Sequence, residues 1–485
     1  MKKIILALAG FVMFTMLGMA QNEADALRYS HLLHGGTARF IGLGGAFGAL
    51  GGDFSTISAN PAGLGIYRRQ LEVSITPAFE MQNVEANFYG TSVDDSKNKL
   101  RIGSLGLVYS APVANRDWRS FTFGVGINQL ASFDRRQTIQ GSNSRSSLMT
   151  DFLHRANQQG NVANLSDFNT GLAYDTWLLG RNAGGFFIDL DNFFFANGGS
   201  VFQRQRIISS GYLNEFAMAV AGNYRDRLFI GATVGIPIIS YNESSTFFEK
   251  YEKGPDDIFN SLTYTNSLDA RGTGINLKLG AIYRVSDMIR LGASLHTPTL
   301  FSIEETYNAS MRSDLNINDP SYKKFAEPDK PGRFNYELTT PLKASASLGL
   351  VFGSYGLLSF DYEFVNFSGT KLRSDNYSFS IENNIISQTF TKQHNLRVGG
   401  EVNLFPLVLR GGVAYYSSPL NNGQISDQMV LSGGLGFRSE NYFIDFAFSR
   451  SVFDQNFFIY DSKFVNSAKL DNTSGRIVLT VGYRL

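Results

Sequence analysis

The 485-residue chain has no cysteine, only twelve prolines and two tryptophans, and a charged fraction of 18%, against roughly 25% in ordinary soluble domains. The missing cysteine excludes a disulfide scaffold, a thiolate metal site, a thiol nucleophile and a cysteine-linked lipid anchor. Charge of one sign is also missing. Lys and Arg number 43 against 42 Asp and Glu, and a net charge of +1 carries no electrostatic footprint for nucleic acid. Beyond residue 20 no apolar run approaches the ~20 residues of a membrane-spanning helix. What the chain does have is glycine (49), phenylalanine (41) and tyrosine (22), at a mean hydropathy of only −0.10. Apolar and polar residues must therefore be mixed at very short range.

The first twenty residues read as a secretory signal peptide. Lys2 and Lys3 precede an apolar run from Ile4 to Leu17, and Gly18-Met19-Ala20 supplies a small-x-small cleavage site before Gln21. The run is short for a membrane anchor. An exported chain without a helical span is either a soluble extracytoplasmic protein or an outer-membrane β-barrel.

Alternation and loop lengths separate these two. At the end of the chain Ile477, Leu479, Val481, Tyr483 and Leu485 share one face, opposite Arg476, Val478, Thr480, Gly482 and Arg484. A strand sends successive side chains to opposite faces, so this is a half-apolar strand. The same period recurs at 275–284, 395–404 and 442–449, and about fourteen such strands fit between residues 70 and 485. Their connections alternate in length. Short turns fall at Ala114–Trp118, Arg225–Asp226, Ser286–Asp287, Gly353–Tyr355, Phe405 and Ser439–Glu440, and long polar segments lie between them, the largest at 135–209. Short turns at one end, long loops at the other and an even strand count form the outer-membrane barrel pattern, which a soluble sandwich has no reason to copy. The expected fold is all-β: a transmembrane antiparallel barrel over 68–485, after a signal peptide (1–20) and a non-strand segment (21–67).

That segment is a candidate plug. A helix-like stretch, Asn22–Leu33, leads into a Gly-rich run from Gly35 to Asp53 and then Ser58-Ala59-Asn60-Pro61-Ala62-Gly63-Leu64. Glycine permits close backbone approach, and Asn-Pro before Gly reads as a tight turn. Fourteen strands also enclose more space than their own side chains fill, so something must occupy or line the lumen.

The stretch "GGTARFIGLGGAFGALGGDFSTISANPAGL" resembles the N-terminal hatch of the FadL/TodX-type outer-membrane transporters of long-chain fatty acids and aromatic hydrocarbons. Asn60, Pro61 and Ala62 match that family's Asn-Pro-Ala motif. "GSLGLVYSAPVANRDWRSFTFGVGINQLASFD" resembles its second and third strands with their Ala-Pro turn. The resemblance implies a fourteen-stranded barrel with the hatch inside, in the outer membrane of a Gram-negative bacterium. It implies passive uptake of a hydrophobic compound, with hatch movement opening a path beside a kinked third strand. It also implies a fatty acid or aromatic hydrocarbon as substrate, and outer-membrane lipid and the barrel-assembly machinery as partners. Two departures stand out: Gly51-Gly52 replaces acidic residues expected around the hatch, and the 135–209 loop has no counterpart motif.

Three groups of residues are candidates for function. Asn60, Pro61, Ala62 and Gly63 would gate as the hatch motif. Trp177, Leu178, Phe186, Phe187, Phe193 and Phe194 make the long loop apolar enough to capture ligand, or simply pack it over the barrel mouth. Lys278, Arg290, Arg397, Glu401 and Arg410 fall on the inward row, either as a carboxylate-binding cluster or as a mutually paired network. Gly124 and Gly126 would allow a kink in the third strand. His31 and His34 could share a helix face, but two histidines without a further ligand do not make a metal or haem site. No cofactor, metal or nucleic acid is expected. No G-x-S-x-G or H-E-x-x-H motif occurs, and among five histidines only His296 falls on an inward face near an external rim, so the chain does not read as an enzyme. The rival reading is a barrel of the same superfamily that does not transport and serves type IX secretion as a shuttle or scaffold.

Overall fold

The structure, a computed structural model, describes residues 23–31, 35–114, 117–189, 195, 198–254 and 258–485. Fourteen antiparallel strands close into a barrel. They are β1 (Leu71–Phe88), β2 (Thr91–Pro112), β3 (Trp118–Ser132, resuming as Arg135–Asn143), β4 (Ser200–Tyr224), β5 (Leu228–Lys253), β6 (Phe259–Arg284) and β7 (Ile289–His296, resuming as Leu300–Leu315). The rest are β8 (Gly332–Thr339, resuming as Lys343–Val351), β9 (Gly356–Asn366), β10 (Lys392–Leu404), β11 (Leu407–Tyr416), β12 (Gln428–Arg438), β13 (Tyr442–Phe457) and β14 (Ala468–Arg484). Each strand pairs with its neighbour in sequence, and β1 closes on β14 with Val73 opposite Tyr483 and Ile75 opposite Val481. Closure removes both free edges and satisfies the backbone inside the sheet, the condition for a sheet to sit in lipid.

The outward row fits that solvent. On β5, Ile230, Val234 and Ile238 are exposed, and on β12, Leu431 and Leu435. Beyond Ile238 the outward row of β5 turns polar at Asn242, Ser244 and Thr246, where the wall leaves the apolar band. The short turns fall where the sequence placed them. Two of the long polar segments, 83–99 and 246–269, are mostly strand: the wall continues well above the apolar band, where the outward row turns polar while Val84, Ala86, Phe88 and Phe247 stay buried on the inward row, and the ladder persists. A cap covers this extended end, built on α4 (Leu148–Gln159) and α5 (Thr170–Asp175) within 135–209, and α6 (Ser380–Thr389) lies in the β9–β10 connection.

Inside the barrel lies the N-terminal segment: α1 (Glu23–Ser30), α2 (Ala38–Gly42), α3 (Thr56–Ala59) and a 3-10 turn (Pro61–Ile66). Thr37 caps α2, its hydroxyl accepting from Phe40 N and donating to Asp53 at 2.8 Å. Pro61 opens the 3-10 turn, where its missing N–H has no bond to lose. Leu43, Phe47, Leu50, Phe54, Ile57 and Leu64 are all at most 1% exposed, so this plug buries its apolar side chains against the inner wall. Residues 1–20, read as a signal peptide, and His34 lie outside the described residues.

Candidate functional site: the plug and the inner wall

The glycines of plug and wall are two sides of one interface. A β-carbon on Gly280 (β6) would lie 1.9 Å from Asn60 Oδ1, one on Gly292 (β7) 2.2 Å from the Gly48 carbonyl oxygen, and one on Gly412 (β11) 2.3 Å from Gly44 N. Gly106 and Gly126 make the same room for the Phe54 ring, and Gly124 for Leu64. This corrects the expectation of a kink at Gly124 and Gly126: both sit in regular ladder between β2 and β4. The third strand breaks instead at Phe133–Asp134. Asp134 pairs there with Arg101 and with Lys97 at 3.3 Å, and the Phe133 ring packs edge-on to Tyr29 of the plug and Tyr241 of β5.

The Asn60-Pro61-Ala62-Gly63 motif is fully buried at the centre of this interface. Asn60 Nδ2 donates to the Gly48 carbonyl at 2.6 Å and reaches those of Ala281 and Ala293 at 3.3 Å, while Oδ1 accepts from Ala62 N. One side chain thus joins two plug segments to two wall strands. Close by, His296 Nε2 lies 3.0 Å from the Ala59 carbonyl and Thr233 donates to that of Ile57. His296 is therefore level with the plug, not near the external rim, because its strand runs on for sixteen further residues from Leu300.

The five inward charges separate into four that are paired and one that is not. Lys278 pairs with Glu215, Arg397 with Glu363 at 2.7 Å, and Glu401 with both Arg39 of α2 and Arg410, at 2.9 and 2.7 Å. Arg410 continues to Asp445 at 2.8 Å, and Arg438 joins the same carboxylate. This chain locks the plug to β10–β13, and removing one partner would strand a buried charge. Asp361 adds a further tie, accepting from Phe47 N and Gly48 N at 2.9 and 2.8 Å. Arg290 has no carboxylate partner among the described residues. No local pattern marks Lys343 on β8 as a site residue. It is nine-tenths buried and likewise has no carboxylate within ion-pair distance among the described residues. Lys343 lines a cavity of about 30 Å3 with Tyr29, Glu215, Lys278, His296 and Phe301, room for about one water. A second, larger cavity of about 580 Å3 opens at the short-turn end below the plug, bounded by Arg39, Glu401, Phe405, Leu407, Arg438 and Arg484.

In the cap, Leu178 and Phe187 are buried in an apolar core with Phe152, Leu172 and Phe88, and Trp177 packs on it beside Tyr322. Phe186 is 68% exposed, and Phe193 and Phe194 lie outside the described residues. The core also encloses Glu249 of β5, which accepts from Ser147 Oγ, Leu148 N and Gln203 Nε2 at the start of α4. Burial pushes its carboxyl up to about 7 despite these donors. His31 lies 3.3 Å from Gln393, and no group of three metal-ligating side chains occurs among the described residues.

No protein-family model matches the sequence, and no curated protein does. Solved structures do match. The chain is similar to a Pseudomonas aeruginosa FadL homologue (14% identity, 94% of this chain and 99% of that one, TM-score 0.56). It is also similar to the toluene transporter TodX of P. putida (12%, 93% and 99%, TM-score 0.56) and to the toluene transporter TbuX of Ralstonia pickettii (15%, 93% and 98%, TM-score 0.52). At these identities the likeness is one of fold. The closed antiparallel barrel agrees with these structures over nearly the whole chain: it has the fold of the FadL/TodX-type channels.

Proposed function

We propose that the protein is an outer-membrane channel for passive uptake of hydrophobic compounds, that its plug is the hatch, and that its substrate is a long-chain carboxylate. The carrying observation is Lys343, a buried cation with no carboxylate within ion-pair distance among the described residues, in a mixed polar and apolar cavity between hatch and wall where Glu215 is held by Lys278. Leaving an ammonium unpaired in such a place is expensive, and an anionic head group would relieve it. A neutral hydrocarbon gains nothing from it. The apolar outward band supports residence in the outer membrane, with lipid around the wall.

The cavity as it stands is too small for an acyl chain, so transport requires the hatch to move. The glycine-lined contact lets hatch and wall meet as two close-packed surfaces, and the ties through Asn60, Asp361, Thr233 and the Arg39–Glu401 pair must break for the hatch to move as a body. Ligand capture at Trp177, Leu178, Phe186 and Phe187 would need the cap core to open around Leu178 and Phe187, with Phe186 as first contact. The test is uptake of a labelled fatty acid by cells carrying the chain with residues 21–67 deleted. Changed uptake with an intact barrel supports the reading. Unaltered uptake with loss of a secreted cargo would replace it with the secretion role.

A further inference from the structure

Arg284 closes β6 and Arg290 opens β7, on either side of the short turn 285–288, and the ladder sets them directly opposite one another. Both belong to the inward row, since the lipid-facing positions on these strands are Leu279 and Tyr283, Leu291 and Leu295. Like charges directly opposite on one face of a sheet repel. Among the described residues no carboxylate within ion-pair distance offsets this repulsion. The charged groups acting on Arg290 are Arg284, Arg39 and Arg68, all cations. Three other arginines around this mouth are paired with carboxylates: Arg39 with Glu401, Arg438 with Asp445 and Arg484 with Glu72. Arg284 and Arg290 have no carboxylate among the described residues, and the Nε atom of each is buried without a hydrogen-bond acceptor.

The site is shaped as well as charged. The Arg284 guanidinium carbon stands 5.7 Å from the centre of the buried Phe229 ring. Arg290 is paired across β8 with Gly349, where a β-carbon would lie 3.4 Å from that of Ala49 in the hatch. Two guanidiniums, an aromatic ring and the underside of the hatch thus converge. Guanidinium forks match the geometry of an oxyanion.

We infer that Arg284 and Arg290 form an anion-binding site at the periplasmic mouth of the lumen, which takes the carboxylate head group of an amphiphile leaving past the hatch. The inference rests on the transport reading above and deepens it: Lys343 holds the head group above the hatch and the arginine pair receives it below.

The test is binding of spin-labelled palmitate to the full chain in detergent, read as immobilised label by electron paramagnetic resonance. Two immobilised classes are expected. Arg284→Gln with Arg290→Gln should weaken one at least tenfold, Lys343→Met the other, and Arg284→Lys with Arg290→Lys should retain both. The heat-dependent gel shift of the barrel reports folding of each variant. A single class that depends on Lys343 alone would overturn the arginine site and leave the transport reading standing. No immobilised palmitate at all would overturn both. Displacement of the arginine-dependent class by short-chain phosphatidylglycerol but not by hexanoate would assign the pair to a lipid phosphate and overturn the inference.

Discussion

Gly280 on the sixth strand faces Asn60 of the plug so closely that a β-carbon there would lie 1.9 Å from Asn60 Oδ1 and 3.0 Å from Pro61 Cδ. Inserting atoms into a close-packed contact typically costs about 1–3 kcal/mol. Here the strain falls on the plug, because the ladder and the lipid-facing row of β6 are untouched. Gly280→Leu should therefore leave a folded barrel with an undocked plug, and single-channel ion conductance should rise at least tenfold.

Asn60→Ala tests the same junction from the other side. It removes a donor shared by three carbonyls and the acceptor for Ala62 N. A loss of about 3 kcal/mol follows from two or three buried hydrogen bonds. Hydrogen exchange at 56–66 should speed up roughly a hundredfold while the β1–β14 ladder keeps its protection.

Lys343→Met keeps the length of the side chain and removes its charge. Affinity for a long-chain carboxylate should fall at least tenfold, and affinity for the matching alcohol should hold or rise. Equal loss for both ligands would assign Lys343 to packing.

Glu249 gives the cap a pH dependence with a defined sign. Its carboxyl is raised from 4.5 to about 7 when the cap is closed. The closed cap therefore binds more protons than the open one between these values, and its stability is greatest below pH 4.5 and falls as pH rises to about 7. The swing is about 3 kcal/mol at ~1.4 kcal/mol per unit. Amide protection factors in α4 should drop between pH 5 and pH 8, and Glu249→Gln should abolish that drop.

The barrel was legible in the sequence wherever one face met lipid. Ile477, Leu479, Val481 and Tyr483 alternate because lipid and lumen demand opposite chemistry of successive residues. Above the apolar band that demand ends: Ser244 and Thr246 on β5 both face outward in good ladder, yet alternation marks the strand only to residue 245 and Thr246 reads as loop. The plug was legible from its glycines and from Asn60-Pro61-Ala62. Its fit to Gly280, Gly292 and Gly412 was not, because complementarity between segments more than 200 residues apart leaves no local pattern. The inward charges were legible as a set. Which of them pair depends on register and on the plug: Glu401 meets Arg39 only because α2 lies beneath it, and Lys343 stands apart because Glu215 is taken by Lys278.

The central claim is that the plug must move for substrate to pass, and the absence of cysteine makes a direct test clean. Ala49 in the plug and Gly349 on β8 would have β-carbons 3.4 Å apart, close to the ~3.5–4.5 Å span of disulfides. Ala49→Cys with Gly349→Cys in the otherwise cysteine-free chain would staple plug to wall. We expect uptake of labelled palmitate into proteoliposomes to fall at least tenfold when the pair is oxidised and to return on reduction. Wild-type uptake through a chain whose staple is closed, as verified by mass spectrometry, would contradict the account.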